Sequence, residues 1–296
     1  LELFYNDIDV KGTIGQVSTT LCPNEKPPAF TNIASATGLG TISYEWQSRT
    51  YGTAFGNVTA SATTQVYTPT TAINTTTFFR RAAYSSYGGT QCEEYSNIIQ
   101  IGISSPPITG LQAQGGAITA QDTVTLCTGE SITFNATGGG VEFLFYLDDN
   151  PIGVKSGSSV LTTSTLITGN RIKVESFNAQ GCSSFSPEIE VQIVDNPVIS
   201  LTSTAFASSA SSSTFCEGDS ITFTVTSTSA ISTYTFSVGG TPQLVTTTNT
   251  FTPAPLLSST TSVSVMVETA AGCTATETLD MFLNEITSSG NIGQAS

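Results

Sequence analysis

Apolar and polar residues alternate in short runs along the chain. Ile132, Phe134 and Ala136 are separated by polar residues, and so are Ile221, Phe223 and Val225. A period of two sends one row of side chains to a core and the other to water, so each run predicts a half-buried β-strand. The next run carries aromatics at one parity: Tyr44 and Trp46, Phe143 and Phe145, Tyr234 and Phe236. Trp46, Phe145 and Phe236 fall at like positions, and a large aromatic there fills the space between two sheets. Further strands are predicted over 63–70 and 75–86, 158–166 and 170–179, and 248–255 and 261–270. Gly and Pro separate the runs, as turns require. No window of ten residues has helical spacing with caps.

The runs recur. QCEEYSNIIQIGISSPPITG (91–110), GCSSFSPEIEVQIVDNPVIS (181–200) and GCTATETLDMFLNEITSSG (272–290) align on a cysteine. LCTGESITF and FCEGDSITF align on another, with the looser LCPNEKPP before them. The spacings are 105 and 89 for the first cysteine (127 − 22, 216 − 127), and 90 and 91 for the second (182 − 92, 273 − 182). A period near 90 is a whole small sandwich rather than a solenoid unit of about 20 to 50 residues. The fold class read from this is all-β: tandem immunoglobulin-like sandwich repeats forming a rod. The repeats are placed at 13–105, 106–196 and 197–287, with 1–12 as the end of a preceding repeat or a linker, and 288–296 as a linker onward. Leu3, Tyr5, Ile8 and Val10 are the apolar contacts expected of that first segment. The breaks at Ser105-Pro106-Pro107 and Asp195-Asn196-Pro197 are short and contain proline, which favours a semi-stiff rod.

Composition narrows the function. The 296 residues carry 22 acidic and 8 basic side chains, a net charge of −14, and no basic residue follows Lys173. Phosphate contacts need clustered Lys or Arg, so nucleic-acid binding is not expected. No apolar stretch is long enough to span a bilayer as a helix. There is no histidine, which removes the commonest general base and the usual member of a catalytic triad. No enzyme and no obligatory cofactor are expected. Asp148 and Asp149 form the densest acidic turn, a weak calcium candidate beside the plainer reading of a solvated turn; calcium prefers six to eight oxygen ligands in an ordered loop. Arg80 and Arg81 are read as surface and edge charges, with Arg80 stacking on Trp46.

Six cysteines in three pairs without C-x-x-C spacing suit disulfides in an oxidising compartment. Pairing within each repeat, Cys22–Cys92, Cys127–Cys182 and Cys216–Cys273, is favoured because every repeat is then self-contained. It has a difficulty. The first cysteine lies at a corner early in the sandwich and the second in the last turn, and these are opposite ends of an ordinary sandwich. The alternative joins consecutive repeats, Cys22–Cys182 and Cys127–Cys273, and leaves Cys92 and Cys216 for neighbours outside the chain.

The first repeat reads CPNEKPP, ISYEWQSRTYGTAFGNV, ATTQVYTPTTAINTTTFFRRAAYS and CEEYSNIIQI. These segments resemble the Ig-like/PKD-like repeats of very large Bacteroidetes cell-surface proteins, including gliding adhesins of the SprB kind; the later repeats resemble looser cysteine-containing relatives and lack the Trp and the paired arginines. The resemblance implies export by the type IX secretion system, display on the bacterial surface, and a role as stalk or spacer in attachment or gliding. It implies neighbouring repeats of the same long chain as partners, and surface polysaccharide or the motility and secretion machinery beyond them. It also implies O-glycosylation at Asp-Ser/Thr-apolar triplets, which makes Thr123 and Ser220 candidate sugar sites. Repeats that themselves bind glycan or a partner surface, and a subunit of a polymeric filament, are the alternatives.

Overall fold

A computed structural model describes residues 7–16, 20–58, 62–115, 117–119, 122–209 and 211–284. Among them there are strands and turns and no helix. The strands form three two-sheet sandwiches in succession, each with its own apolar core.

One design recurs in all three. An aromatic strand (Thr41–Thr50, Glu142–Leu147 or Thr233–Val238) pairs antiparallel with a penultimate strand (Thr77–Tyr87, Arg171–Phe177 or Thr261–Glu268). The penultimate strand pairs antiparallel with a final strand (Ile99–Ile103, Ile189–Val194 or Thr274–Leu283). The second sheet is smaller. In sandwich 2 it is Thr109–Gln114, Ile132–Gly138 and Val160–Thr163, and in sandwich 3 it is Ile199–Ser203, Phe223–Ser227 and Thr250–Phe251. In sandwich 1 it is built from Thr13–Gly15 against Thr31–Ala34, Ile8–Val10 against Thr37–Gly38, and a bridge between Phe30 and Tyr67.

The connection between sheets matters most for function. After its first pairing the chain crosses to the larger sheet and runs as a short switch strand: Thr20–Leu21, Thr123–Cys127 or Ser212–Phe215. The switch strand lies parallel to the final strand, with Leu21 beside Ile103, Cys127 beside Val194 and Phe215 beside Leu283. It therefore ends at the pole where the sandwich hands the chain to its successor.

Alternation explains the cores. Trp46 and Phe236 are fully buried and Phe145 is nearly so. Trp46 stacks on Phe30 at 5.5 Å, and its Nε1 donates to the Thr64 carbonyl at 2.9 Å, so the indole is buried without an orphaned N–H. Phe236 stacks on Phe251 at 5.1 Å. Burying each such ring stabilises its sandwich by about 2–3 kcal/mol.

Five expectations are corrected. Ile8–Val10 is not the end of a preceding repeat: Ile8 is buried against Ala36, Tyr44 and Ala83 and opens sandwich 1. Leu3 and Tyr5, and the span 288–296, lie outside the described residues. The 63–70 run makes only the Tyr67 bridge, and 248–255 yields only Thr250–Phe251. Arg81 is not a surface charge. It stands opposite Trp46 across the sheet, on the inward parity, and is fully buried. Its guanidinium donates to Asn32 Oδ1 at 2.7 Å and to the Gln65 and Ala34 carbonyls at 2.8 and 3.0 Å, over the Tyr44 ring. Arg80, one residue out of phase, points to the other face and covers Phe55 and Tyr95 rather than Trp46.

Candidate functional site: the junctions between sandwiches

The first cysteine of each repeat ends or directly follows the switch strand and starts a tight turn. Cys22-Pro23-Asn24-Glu25, Cys127-Thr128-Gly129-Glu130 and Cys216-Glu217-Gly218-Asp219 share one geometry. The fourth residue's N–H donates to the cysteine carbonyl at 3.1–3.3 Å. The third residue has φ of 66°, 87° and 87°, the left-handed region that selects Asn or Gly. The fourth side chain then folds back, and its carboxylate accepts from the cysteine N–H at 2.9, 2.9 and 2.8 Å. Each cysteine is thus held at the outgoing pole.

The second cysteine opens the last hairpin. Cys182 faces Asn178 and Cys273 faces Thr269, whose N–H groups each donate to the cysteine carbonyl at 2.9 Å. This hairpin precedes the final strand, so it lies at the incoming pole, next to the previous sandwich.

Two poles meet at each junction, and a disulfide joins them. Cys22 bonds Cys182 with Cα atoms 5.4 Å apart, and Cys127 bonds Cys273 at 5.5 Å. The within-repeat pairing favoured from sequence is therefore wrong. The reason is the parallel switch strand. Within sandwich 3, the residue before Cys216 lies beside Leu283, while Cys273 begins the same final strand ten residues earlier. At ~3.3 Å per residue those cysteines are about 30 Å apart, and a disulfide needs about 7 Å or less. Cys92 and Cys216 take part in neither bond.

The polar contacts around the two bonds differ. At the first junction, Asn178 Nδ2 donates to Ser104 Oγ and to the Ser105 carbonyl, each at 2.9 Å. Ser104 Oγ donates to Gln180 Oε1 at 3.1 Å, and Ser184 Oγ donates to the Pro107 carbonyl. Asn178 Oδ1 accepts from the N–H groups of Gln180 and Cys182 at 3.0 and 2.9 Å, which fixes the hairpin that does the gripping. At the second junction the linker is held from the other side. Asn196 Nδ2 donates to the Thr128 carbonyl at 3.2 Å, and Thr128 Oγ1 donates to Asp195 Oδ1 at 2.9 Å. Thr269 Oγ1 is turned into its own hairpin, where it accepts from Cys273 N–H at 3.1 Å.

The other candidates sit apart from the junctions. Asp148 and Asp149 have φ of 48° and 64°, the two left-handed positions of a tight hairpin turn that sandwich 3 fills with Gly239 and Gly240. Asp148 accepts from Asn170 Nδ2 at 2.7 Å and from Arg171 N–H at 2.8 Å, and Asp149 pairs with Lys173. Their carboxylates are thus engaged with the turn and its neighbours, and among the described residues no three His, Cys, Asp or Glu side chains converge. Thr123 begins a switch strand half-buried, and Ser220 is exposed after the Cys216 turn. One surface was missed from sequence. Arg49 lies over Phe55 and Phe78, and Arg80 over Phe55 and Tyr95, on the outer face of sandwich 1 beside Tyr51, which is 87% exposed. The outward parity of Phe78 and Arg80 was the available signal.

A family model described as a domain of unknown function (DUF8696) matches residues 10–105. No curated protein matches the chain. Among solved structures, the fibronectin(III)-like modules of Clostridium thermocellum CbhA share 14% identity, over 64% of this chain and 100% of theirs, with a TM-score of 0.40. A structure of a 1.5-MDa bacterial ice-binding adhesin shares 12% over 95% of this chain and 98% of its own, with a TM-score of 0.38. Extracellular domains 3–5 of Drosophila OTK share 11% over 95% and 97%, with a TM-score of 0.36. By its own strand pairing, the chain is a tandem array of immunoglobulin-like β-sandwiches joined by disulfides.

Proposed function

We propose that the chain is a load-bearing spacer in an extracellular, adhesin-like rod. The observation that carries this reading is that both disulfides cross junctions instead of closing single sandwiches. Junctions are where a string of domains bends and parts, because inter-domain contacts are small. A covalent tie beside each linker gives two strands of connection where an ordinary array has one. Disulfides persist outside the reducing cytosol, which supports an extracellular setting. The side chains at the junctions are engaged in holding: the cystines join the poles, the amides and hydroxyls bind linker and hairpin, and the carboxylates of Glu25, Glu130 and Asp195 accept from Cys22, Cys127 and Thr128, which supports a mechanical role. Within this reading, the residue resemblance supports a stalk of a giant Bacteroidetes surface adhesin, exported by type IX secretion and serving attachment or gliding. The test compares cells displaying the parent protein with cells in which Cys22, Cys127, Cys182 and Cys273 are all serine. Equal surface labelling with detachment at lower shear is expected. Unchanged shear resistance overturns the load-bearing role.

A second reading is favoured by the stacked arginines and aromatics of sandwich 1. Alternating guanidinium and ring faces beside an exposed tyrosine can take a sugar or a partner surface. Glycan-array binding that disappears in Tyr51→Ala and Phe55→Ala would move the adhesive role into the repeat itself.

A further inference from the structure

We propose that Cys216 is the site of another junction disulfide, formed with the last-hairpin cysteine of a further sandwich of this type. The site occurs three times in the chain, and two copies are occupied. Cys22 and Cys127 each bond a cysteine that opens the last hairpin of the next sandwich, so the occupied copies define the ligand of the third.

The third copy is built like the other two. Phe215 lies beside Leu283 as Leu21 lies beside Ile103, in the same parallel pairing. Asn284 N–H donates to the Phe215 carbonyl at 2.8 Å, as Ser104 N–H donates to the Leu21 carbonyl at 2.9 Å. Gly218 takes the left-handed position, and Asp219 caps the cysteine N–H at 2.8 Å. Cys216 is exposed at this pole, whereas Cys127, whose copy is occupied, is 5% exposed. The interface is head-to-tail: one pole meets the opposite pole of the next sandwich, so the contact repeats without closing on itself. This inference concerns what bonds at the pole and stands whether or not the rod bears load.

Bond formation is an oxidation. The Cys216 thiolate attacks a donor disulfide, of a thiol–disulfide oxidoreductase or glutathione, and releases one donor thiol. The partner thiolate then attacks Cys216 Sγ in the mixed disulfide and releases the second donor thiol. One protein S–S bond forms, the donor S–S bond is reduced, and the two cysteine protons end on the donor thiols.

The test is a non-reducing peptide map of the native parent protein, alkylated during extraction. Cys216 is expected to resist alkylation until reduction and to be linked to a last-hairpin cysteine of a sandwich of this type. Growth with a mixture of isotope-labelled and unlabelled protein separates the sources. A link within one label assigns a further sandwich of the same chain; a link between labels, including one to Cys92 of a second copy, assigns another molecule. Cys216→Ser is expected to abolish this link while Cys22–Cys182 and Cys127–Cys273 remain. Cys216 alkylated without reduction, bonded to a small thiol, or bonded to Cys92 of its own molecule overturns the proposal.

Discussion

The two junctions share a disulfide and differ in what surrounds it. At the first, the hairpin of sandwich 2 reaches back and grips the preceding linker through Asn178 and Ser184. At the second, the linker is bound by the sandwich it is leaving, through Thr128 and Asn196. Sandwich 3 has Thr269 where sandwich 2 has Asn178, and a hydroxyl that caps its own hairpin has no amide to spare for the linker. Cys273 Sγ lies 3.9 Å from the Val194 carbonyl, but a disulfide sulfur carries no hydrogen to donate. The covalent bond is thus the constant element and the polar grip the variable one. The first junction is expected to keep its shape when reduced, and the second to become a hinge.

The largest effects come from the disulfides. They close spans of 160 and 146 residues, and loop-closure entropy assigns about 5 kcal/mol to each. Cys127→Ser is expected to broaden the distance distribution between spin labels on sandwiches 2 and 3. Cys22→Ser should broaden that between sandwiches 1 and 2 much less, and equal broadening would erase the contrast. Next, Asn178→Ala in the Cys22→Ser background removes two donor bonds and the hairpin's own lock. It is expected to cost about 2 kcal/mol and to make the first junction as loose as the reduced second, by the same measurement. A smaller gain, about 1 kcal/mol, is expected when Thr269→Asn supplies an amide at the second junction. It should narrow the distribution in the Cys127→Ser background.

The smallest effect is a pH dependence in sandwich 2, which reaches the first junction through the residue beside Cys182. Tyr146 donates to Glu175 at 2.8 Å, and Glu175 accepts from Ser183, next to Cys182, at 2.6 Å. Burial, then the hydrogen bond and charge of Glu175, raise the Tyr146 pKa above its ordinary 10.0, with Lys173 opposing. The neutral phenol is favoured by the fold. The stability linked to it is therefore complete below pH 10 and is lost as pH rises through the higher folded value. Sandwich 3 has Ser237 and Met266 at the corresponding places. Alkaline titration of the melting transition should show this loss, and Tyr146→Phe should diminish it without changing the second junction, Tyr67, Tyr84 and Tyr95 of sandwich 1 keeping their own raised values.

Much of this was legible in residues. Alternation located the aromatic and penultimate strands, and the parity of Trp46, Phe145 and Phe236 marked the inward face. The conflict between two cysteines at opposite ends of a sandwich was visible too. Its resolution was not, because it depends on the switch strand running parallel to the final one. Thr20–Leu21 and Thr123–Cys127 are too short to show a period, and alternation carries no mark of strand direction. Arg81 was misread for a different reason. Its parity matched Phe79 and Ala83, but a buried guanidinium is credible only once carbonyls such as Gln65 and Ala34 are seen to gather around it. For Asp148 and Asp149 the acidic turn was legible in the residues, and the left-handed φ angles that make it a tight hairpin were not.

The two disulfide spans, 22–182 and 127–273, overlap. Any single cut of the backbone between Cys22 and Cys273 therefore leaves both ends in one covalent piece. A cut before Cys127 is bypassed through Cys182, a cut after Cys182 through Cys127, and a cut between them by either route. Cystines closed within each sandwich would leave the proline linkers as single points of failure. Under proteolysis, this stitching lets a nicked chain stay in one piece until a second cut falls in the right place.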